Sequence, residues 1–248
     1  MPALNAGRFI EQALMSLVRE RDAVPLDIVV VDDGSTDDTR DIVARLAGAY
    51  PEIRLFPNPR KGIAAGRNAA IKLANLDSPF ISFLDADDIS FPGRLARQRA
   101  LLAADPSIGA VYGLVQMFSQ LDEATQAPAA GSPTRIMRGP YLQSSMYRAD
   151  AIRALGPFDE TFRQGDDTDF VLRAISHPVK LHLEDALAAY YRRHDANVTL
   201  NVEEVQREFW LASLKWAARR RLKGNAEIPK IFSELFLSRH DLEKDFGT

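Results

Sequence analysis

At 248 residues with 46% apolar side chains, the chain can bury one substantial core, as one large domain or one domain with an appendage. A formal net charge of −3, with basic residues dispersed apart from one late cluster, excludes the basic surface of a nucleic-acid binder. The absence of cysteine excludes disulfides, thiolate catalysis and cysteine-ligated zinc, without fixing the compartment.

In chain order, Phe9, Ile10, Ala13, Leu14, Leu17 and Val18 form one apolar face of a helix starting near Asn5 or Gly7. The first twenty residues also carry Arg8, Glu11, Arg19 and Glu20 at helical spacing, so they do not read as a signal peptide. Asp27-Ile28-Val29-Val30-Val31-Asp32 is a β-branched run without alternation, the pattern of a strand buried on both faces. Ser35 or Thr36 then caps a helix carrying Ile42, Val43, Leu46 and Tyr50. A short strand over 53–56, a helix over 62–75, a strand over 80–84 and a helix over 92–104 complete the first half. Strands alternating with helices of 10 to 15 residues imply βαβ units and a mostly parallel sheet.

The second half changes character. Strands are expected over 110–117, 144–148, 180–183 and 187–192, and a helix over 167–175. The Ala-, Pro- and Gly-rich stretch 124–133 reads as a mobile loop, and from Val202 onward the chain reads as helices. No segment reaches the roughly 20 apolar residues of a membrane span. The expected location is the cytoplasm, with peripheral contact at the inner face of the membrane as an alternative.

Asp85-Ala86-Asp87-Asp88 follows Phe80-Ile81-Ser82-Phe83-Leu84, so three carboxylates stand at the end of an apolar strand. In an open α/β sheet, ligands bind outside the carboxyl ends of the strands. Acids packed this closely repel one another, and a divalent cation shared with substrate phosphates would neutralise them. The alternative is an acidic turn in which Asp88 caps the helix that Pro92 opens. A second acidic turn, Asp32-Asp33-Gly34-Ser35-Thr36-Asp37-Asp38-Thr39, ends the upstream strand and opens a helix. Asp37 and Asp38 suit the first turn of that helix, whereas Asp32 and Asp33, at the strand end, suit a ligand.

With these motifs the chain resembles the family 2 glycosyltransferases, inverting enzymes of the GT-A fold. Asp32-Asp33-Gly34-Ser35 resembles that family's nucleotide-recognition turn, and Asp85-Ala86-Asp87 its DxD metal motif. Gly62-Ile63-Ala64-Ala65-Gly66-Arg67-Asn68-Ala69-Ala70 is similar to its glycine-rich segment ending in Arg-Asn. Pro157-Phe158-Asp159-Glu160 and Gly165-Asp166-Asp167-Thr168-Asp169-Phe170 resemble its acceptor-side turn and the motif that supplies the base. The resemblance spans residues 2 to about 200 and does not name the sugar.

The resemblance implies a Rossmann-like α/β sheet with helices on both faces. Residues 1–200 would be the glycosyltransferase domain, with 1–110 its nucleotide-binding half and 111–200 its acceptor half; 201–248 would be a helical extension. Asp33 would bond the base of a nucleoside diphosphate, with uracil expected, and Asp85 would contact the ribose. Asp87 would bind Mg²⁺ or Mn²⁺, with His194 of Tyr191-Arg192-Arg193-His194 as a further metal ligand or a phosphate contact; a capping or surface histidine is the alternative. Pro2, Leu4, Arg67 and Ala86 would help hold the donor. Asp167 would take the proton from the acceptor hydroxyl, with Asp166 as second candidate where the family commonly has Glu. The donor would be a nucleoside-diphosphate sugar and the acceptor a saccharide or lipid-linked hydroxyl. A non-catalytic nucleotide-sugar binder and a nucleotidyltransferase are the competing readings, and the latter lacks a P-loop-type triphosphate loop.

Inverting transfer needs a carboxylate to activate the incoming hydroxyl, a contribution of roughly 10²–10⁴, and a cation to stabilise the departing diphosphate. Weaker signals are Gln143, Ser144 and Ser145 as acceptor contacts, against ordinary polar residues opening a strand. Arg192 reads as a phosphate contact or a solvated charge. Phe209, Trp210, Leu214 and Trp216 are expected to pack on the domain. Arg219-Arg220-Arg221 with Lys223 reads as cations favouring a helix C-terminus, against contact with anionic lipid. Finally, Met1-Pro2-Ala3-Leu4-Asn5 starts at a turn where the family has an apolar strand. The expectation is that this first strand is missing, and that residues supplied ahead of Met1 would raise the melting temperature and nucleotide affinity.

Overall fold

The structure, a computed structural model, describes residues 1–75, 77–177, 179–222 and 228–236. The first half runs β1 (Pro2–Ala3), α1 (Ile10–Val18), β2 (Ile28–Asp32), α2 (Thr39–Ala49), β3 (Ile53–Pro57), α3 (Ile63–Leu73), β4 (Phe80–Ser82), β5 (Ile89–Ser90) and α4 (Arg94–Ala104). The second runs β6 (Ile108–Phe118), β7 (Leu121–Asp122), β8 (Ala127–Pro128), β9 (Thr134–Met137), β10 (Ser145–Arg148), α5 (Ala149–Leu155), α6 (Asp166–Ser176), β11 (Lys180–Arg192), α7 (Val202–Leu222) and α8 (Lys230–Phe236).

Strand β2 is buried along its whole length, as its unbroken β-branched run requires. Ile28 and Val30 face the core built with α1, α2 and α4, while Val29 and Val31 face Ala69 of α3. Period-two alternation thus puts helices on both faces of the sheet. Strands β1, β2 and β3 pair in parallel, and the long β6–β11 pair is parallel too. Antiparallel β10 lies between β4 and β6, giving the order β4-β10-β6-β11-β5 with β9 also on β6.

Several expectations are revised. The two short strands over 180–183 and 187–192 are one strand, interrupted by register shifts against β6. The stretch 124–133 takes part in a small β7–β8 ribbon, where Asp122 Oδ1 accepts from the Ala124 and Thr125 N–H groups. Neither Ser35 nor Thr36 caps α2, whose N-cap is Asp38. The helical tail belongs to the core: Trp216, Leu235 and Phe236 are buried in the cluster built by α5, α6, β6 and β10. Trp210 and Leu214, expected to pack, are instead 65% and 67% exposed. Lys223 lies outside the described residues.

The first strand is a stub and not wholly missing. Pro2 and Ala3 pair with Val31 and Asp32, and Met1 brackets the next position through its ammonium to Val29 O (2.9 Å) and its carbonyl from Val31 N (2.9 Å). Beyond that point no described strand pairs with the β1-side edge of β2 at residues 28–30, nor with the β4 edge opposite β10. A cavity of about 430 Å³ lies there, lined by Met1, Ile28, Val29, Phe80, Ile81 and Phe83 among others. Burial pushes the Met1 amine down to about 5. The cavity shares no lining residue with the acidic turns.

Candidate active site

The turn after β2 sorts its acids by geometry. Asp32 is buried and folds onto its own turn, accepting from the N–H groups of Gly34 (3.2 Å) and Ser35 (3.2 Å). It is a structural acid. Asp33 accepts from Asn58 Nδ2 (2.8 Å) and Gly62 N (3.0 Å). These bonds tie it to the loop that opens α3, where Gly62 adopts φ +104, a conformation open to glycine at no steric cost. Gly66 serves differently: a Cβ there would meet the Pro2 side chain at 3.1 Å. Pro2 therefore packs under α3, whereas Leu4 is 54% exposed at the rim. Asn5 (φ +48) accepts from Thr36 N (2.9 Å) and its own N–H donates to Ser35 Oγ (2.9 Å). Asp37 accepts from Gly7 N (2.9 Å) and Thr39 N (3.1 Å). The turn following β1 and the turn following β2 are one hydrogen-bonded unit.

The second acidic turn is split three ways. Asp85 accepts from Arg67 Nη2 (2.9 Å), yet burial and the Asp87 charge outweigh that partner and raise its carboxyl above the ordinary range. Ala86 is buried in the core shared by α1 and β2, so it spaces the acids and makes no side-chain surface. Asp87, about one-third exposed, faces His194 Nε2 at 3.0 Å, with Asn197 Nδ2 at 3.5 Å. The His194 ring stacks at a tilt on Phe9, 4.4 Å away. Asp88 does not cap α4, whose N-cap is Gly93. It is fully buried, accepts from Arg192 N (2.9 Å), and is pushed well above the carboxylate range by burial and by its two acidic neighbours.

Arg67 links the two halves of the chain. It is 4% exposed and donates to Asp85 on one side and to Asp166 (2.8 Å) on the other. Burial alone would lower the guanidinium, but Asp166, Asp85 and Asp167 outweigh it and hold the charge firmly. Arg67 sits beneath the site, engaged by carboxylates.

Asp166 is 1% exposed and committed to Arg67. Asp169, fully buried, takes Arg173 (2.9 Å) and Arg219 (2.6 Å). Asp167 is the half-buried acid of this turn, and accepts from Thr168 N (2.5 Å). Of the two base candidates, Asp167 alone is partly exposed.

Other expected contacts are structural. Gln143, Ser144 and Ser145 are buried, the first two with their carbonyls held by Arg94 and Gln98. Arg192 is not the solvated charge that was one of its two readings; it is buried, donates to Asp87 O (2.9 Å) and Gln12 Oε1 (2.6 Å) and lies over the Phe9 and Phe118 rings. Asn58 and Asn197 were not anticipated, and Asn68 was noted only as part of the Arg-Asn segment, without a role. Asn68 exchanges bonds with the Phe158 backbone and reaches Glu160 (2.8 Å), so the Arg-Asn pair anchors the acceptor-side turn. Asn58 has the one local signal, standing directly after β3 as the acids stand after β2 and β4.

The residues present fit a divalent cation. Asp87 and His194 converge as an oxygen and a nitrogen donor, and among the described residues no group of three or more His, Cys, Asp or Glu could hold a metal. A two-donor protein site suits an ion that completes its shell with phosphate oxygens.

The sequence profile described as "Glycosyl transferase family 2" matches residues 1–160. The succinoglycan biosynthesis protein ExoU of Rhizobium meliloti (strain 1021) is 33% identical over 199 residues, covering 71% of this chain. The chain spans 55% of ExoU's length. Among solved structures, the mannosyltransferase PcManGT from Pyrobaculum calidifontis, in complex with GDP-Man and Mn²⁺, superposes with a TM-score of 0.67 at 20% identity, over 96% of this chain and 67% of that one. The glucosyl-3-phosphoglycerate synthase of Mycobacterium tuberculosis, with Mn²⁺, UDP and glucosyl-3-phosphoglycerate, superposes with a TM-score of 0.61 at 15% identity, over 91% and 79% of the two chains. Both likenesses speak for the GT-A fold. The chain belongs to glycosyl transferase family 2.

Proposed function

We propose that the chain is a metal-dependent inverting glycosyltransferase that moves a sugar from a nucleoside-diphosphate sugar to a hydroxyl of a saccharide or glycolipid acceptor. One observation carries this reading: Arg67 binds Asp85 and Asp166 at once, so the turn bearing Asp87 and the turn bearing Asp167 meet over one guanidinium. The first offers a cation site and the second a base, the two groups that inverting transfer requires on one reacting centre. Asp33, with Asn58 beside it, holds the base ring, and Asp85 meets the ribose. Asp87 and His194 would hold Mg²⁺ or Mn²⁺, which neutralises the leaving diphosphate when bound. Asp167 takes the acceptor proton.

UDP is the proposed nucleotide, as in the mycobacterial synthase complex, with GDP as competitor from the archaeal one. The ExoU likeness supports a role in bacterial surface-polysaccharide assembly. No helix among the described residues is long and apolar enough to cross a membrane. The exposed Trp210, Leu214 and Leu222 with Arg221 on α7 support a peripheral contact with the cytoplasmic face.

The test is donor-dependent release of nucleoside diphosphate from UDP-glucose, UDP-N-acetylglucosamine and GDP-mannose with Mn²⁺. Asp167→Asn is expected to lower turnover by roughly 10²–10⁴ while leaving UDP binding intact. Undiminished turnover removes Asp167 as the base, and pyrophosphate release from a nucleoside triphosphate would instead mark a nucleotidyltransferase.

A further inference from the structure

Asn197 stands against both residues that would hold the cation. It is 8% exposed, in the loop that leads from β11 to α7. Its side-chain oxygen accepts from His194 N (2.7 Å), and its own N–H donates to His194 O (3.2 Å), which closes a turn over 194–197. The start of that loop is fastened to the second acidic turn, since Arg192 N donates to Asp88 Oδ1 (2.9 Å) and Arg192 Nε to Asp87 O (2.9 Å). The bond from His194 N to the oxygen fixes which way the amide faces. Its Nδ2 turns to Arg192 O (3.2 Å), to His194 Nε2 (3.0 Å) and to Asp87 Oδ2 (3.5 Å).

The last two contacts do not close among themselves. An amide nitrogen has two hydrogens and accepts none. One goes to Arg192 O, which leaves the other for the gap between Asp87 and His194. His194 Nε2 also lies 3.0 Å from Asp87 Oδ2. If Nε2 carries the proton, it donates to Asp87, and the Asn197 hydrogen has only a contact at the outer limit of a hydrogen bond. If Nε2 is bare, it accepts from Asn197 and then faces a carboxylate oxygen with no proton between them. Neither tautomer satisfies all three atoms, and a buried donor short of an acceptor is costly. A cation at Asp87 and His194, with an anionic oxygen at Asn197, satisfies them together. Charge at position 197 matters too. A carboxylate there would repel a phosphate and an ammonium would repel the ion, whereas a neutral N–H donor suits a phosphate oxygen beside a metal.

We propose that Asn197 binds the donor: its Nδ2 N–H donates to an oxygen of the diphosphate at the Asp87–His194 cation site, while its Oδ1 keeps His194 opposite Asp87. This rests on the reading of Asp87 as the residue that holds the ion.

The experiment measures two affinities for the parent, Asn197→Asp, Asn197→Ala and Asp87→Asn in the full chain. One is for Mn²⁺ alone, from the paramagnetic resonance of the free ion. The other is for UDP or GDP, whichever the parent binds more tightly, by calorimetry in Mn²⁺ and in chelator. Asn197→Asp decides, because it keeps an oxygen for His194 N and so the turn, yet replaces the N–H donor with a carboxylate. A melting temperature without ligand close to the parent's shows that the turn is kept. Asn197→Asp is expected to bind Mn²⁺ alone at least as tightly as the parent, and the nucleotide in Mn²⁺ about 10- to 100-fold more weakly, the range of a lost hydrogen bond to a charged group. Asn197→Ala is expected to lose about 10-fold in nucleotide affinity. Nucleotide affinity within about twofold of the parent in Asn197→Asp overturns the proposal and leaves Asn197 a turn residue. Loss of Mn²⁺ binding in step with the nucleotide in that variant overturns it as well. Asp87→Asn tests the underlying reading separately, and should make nucleotide affinity equal in Mn²⁺ and in chelator. An undiminished Mn²⁺ effect there overturns the placement of the ion, and a parent that binds neither nucleotide overturns both.

Discussion

The turns at 85–88 and 166–169 hold three carboxylates each, and they are neutralised in opposite ways. In the second turn, Asp166 has Arg67, Asp169 has Arg173 and Arg219, and Asp167, the half-buried acid between them, accepts from Thr168 N. In the first, one shared guanidinium serves Asp85, a backbone N–H serves Asp88, and Asp87 faces a histidine. Burial accordingly raises Asp85 and Asp88, which the protein's own cations do not offset. A turn whose charges are matched from within suits proton transfer, and one left short of positive charge suits a cation brought from outside. The same residue type, repeated in the same number, thus meets two electrostatic environments, decided by which arginines reach it.

The largest way to break this contrast is to remove the guanidinium that both turns share. Arg67→Met leaves Asp166 buried without its partner, and truncating one member of a buried pair typically costs about 3–5 kcal/mol. Urea unfolding is expected to show a loss of that size, with Arg67→Lys intermediate because it cannot serve both carboxylates in fork geometry. A loss below about 1 kcal/mol would mean the turns are not tied through Arg67.

A smaller effect sharpens the first turn alone. The Asp88 carboxyl is raised in the fold, so its ionisation disfavours folding above the unfolded-state value near 3.9 and not below it. Asp88→Asn keeps an acceptor for Arg192 N and should melt roughly 2–4 °C above the parent at pH 8, with the gain vanishing near pH 3. Equal melting points at pH 8, measured in chelator, would show that the first turn carries no surplus of negative charge.

How much of this was legible beforehand follows from the reach of each interaction. Strand β2 could be read because its β-branched run states its own burial, and the acids at strand ends because their placement is local. Asp32 and Asp33 look alike in the sequence, and only the fold turns the first onto Gly34 and Ser35 and the second toward Asn58. The partners of Arg67, Arg192 and Glu208 were not legible for a shared reason: each lies far along the chain, namely Asp166, Gln12 and the 163–165 turn. The β1 stub was missed because two residues carry no periodicity. Trp210 and Leu214 satisfy the helical spacing of a core face, yet α7 turns Trp216 and Ala212 inward instead.

The central claim is that the first turn takes its missing positive charge from a divalent ion at Asp87. Thermal melting of the parent and of Asp87→Asn, each with UDP in chelator or in Mn²⁺, tests it directly. The parent should be stabilised by UDP in Mn²⁺ by several degrees more than in chelator, and Asp87→Asn should show no difference between the two. Metal-independent stabilisation of the parent, or an undiminished Mn²⁺ effect in Asp87→Asn, would contradict it.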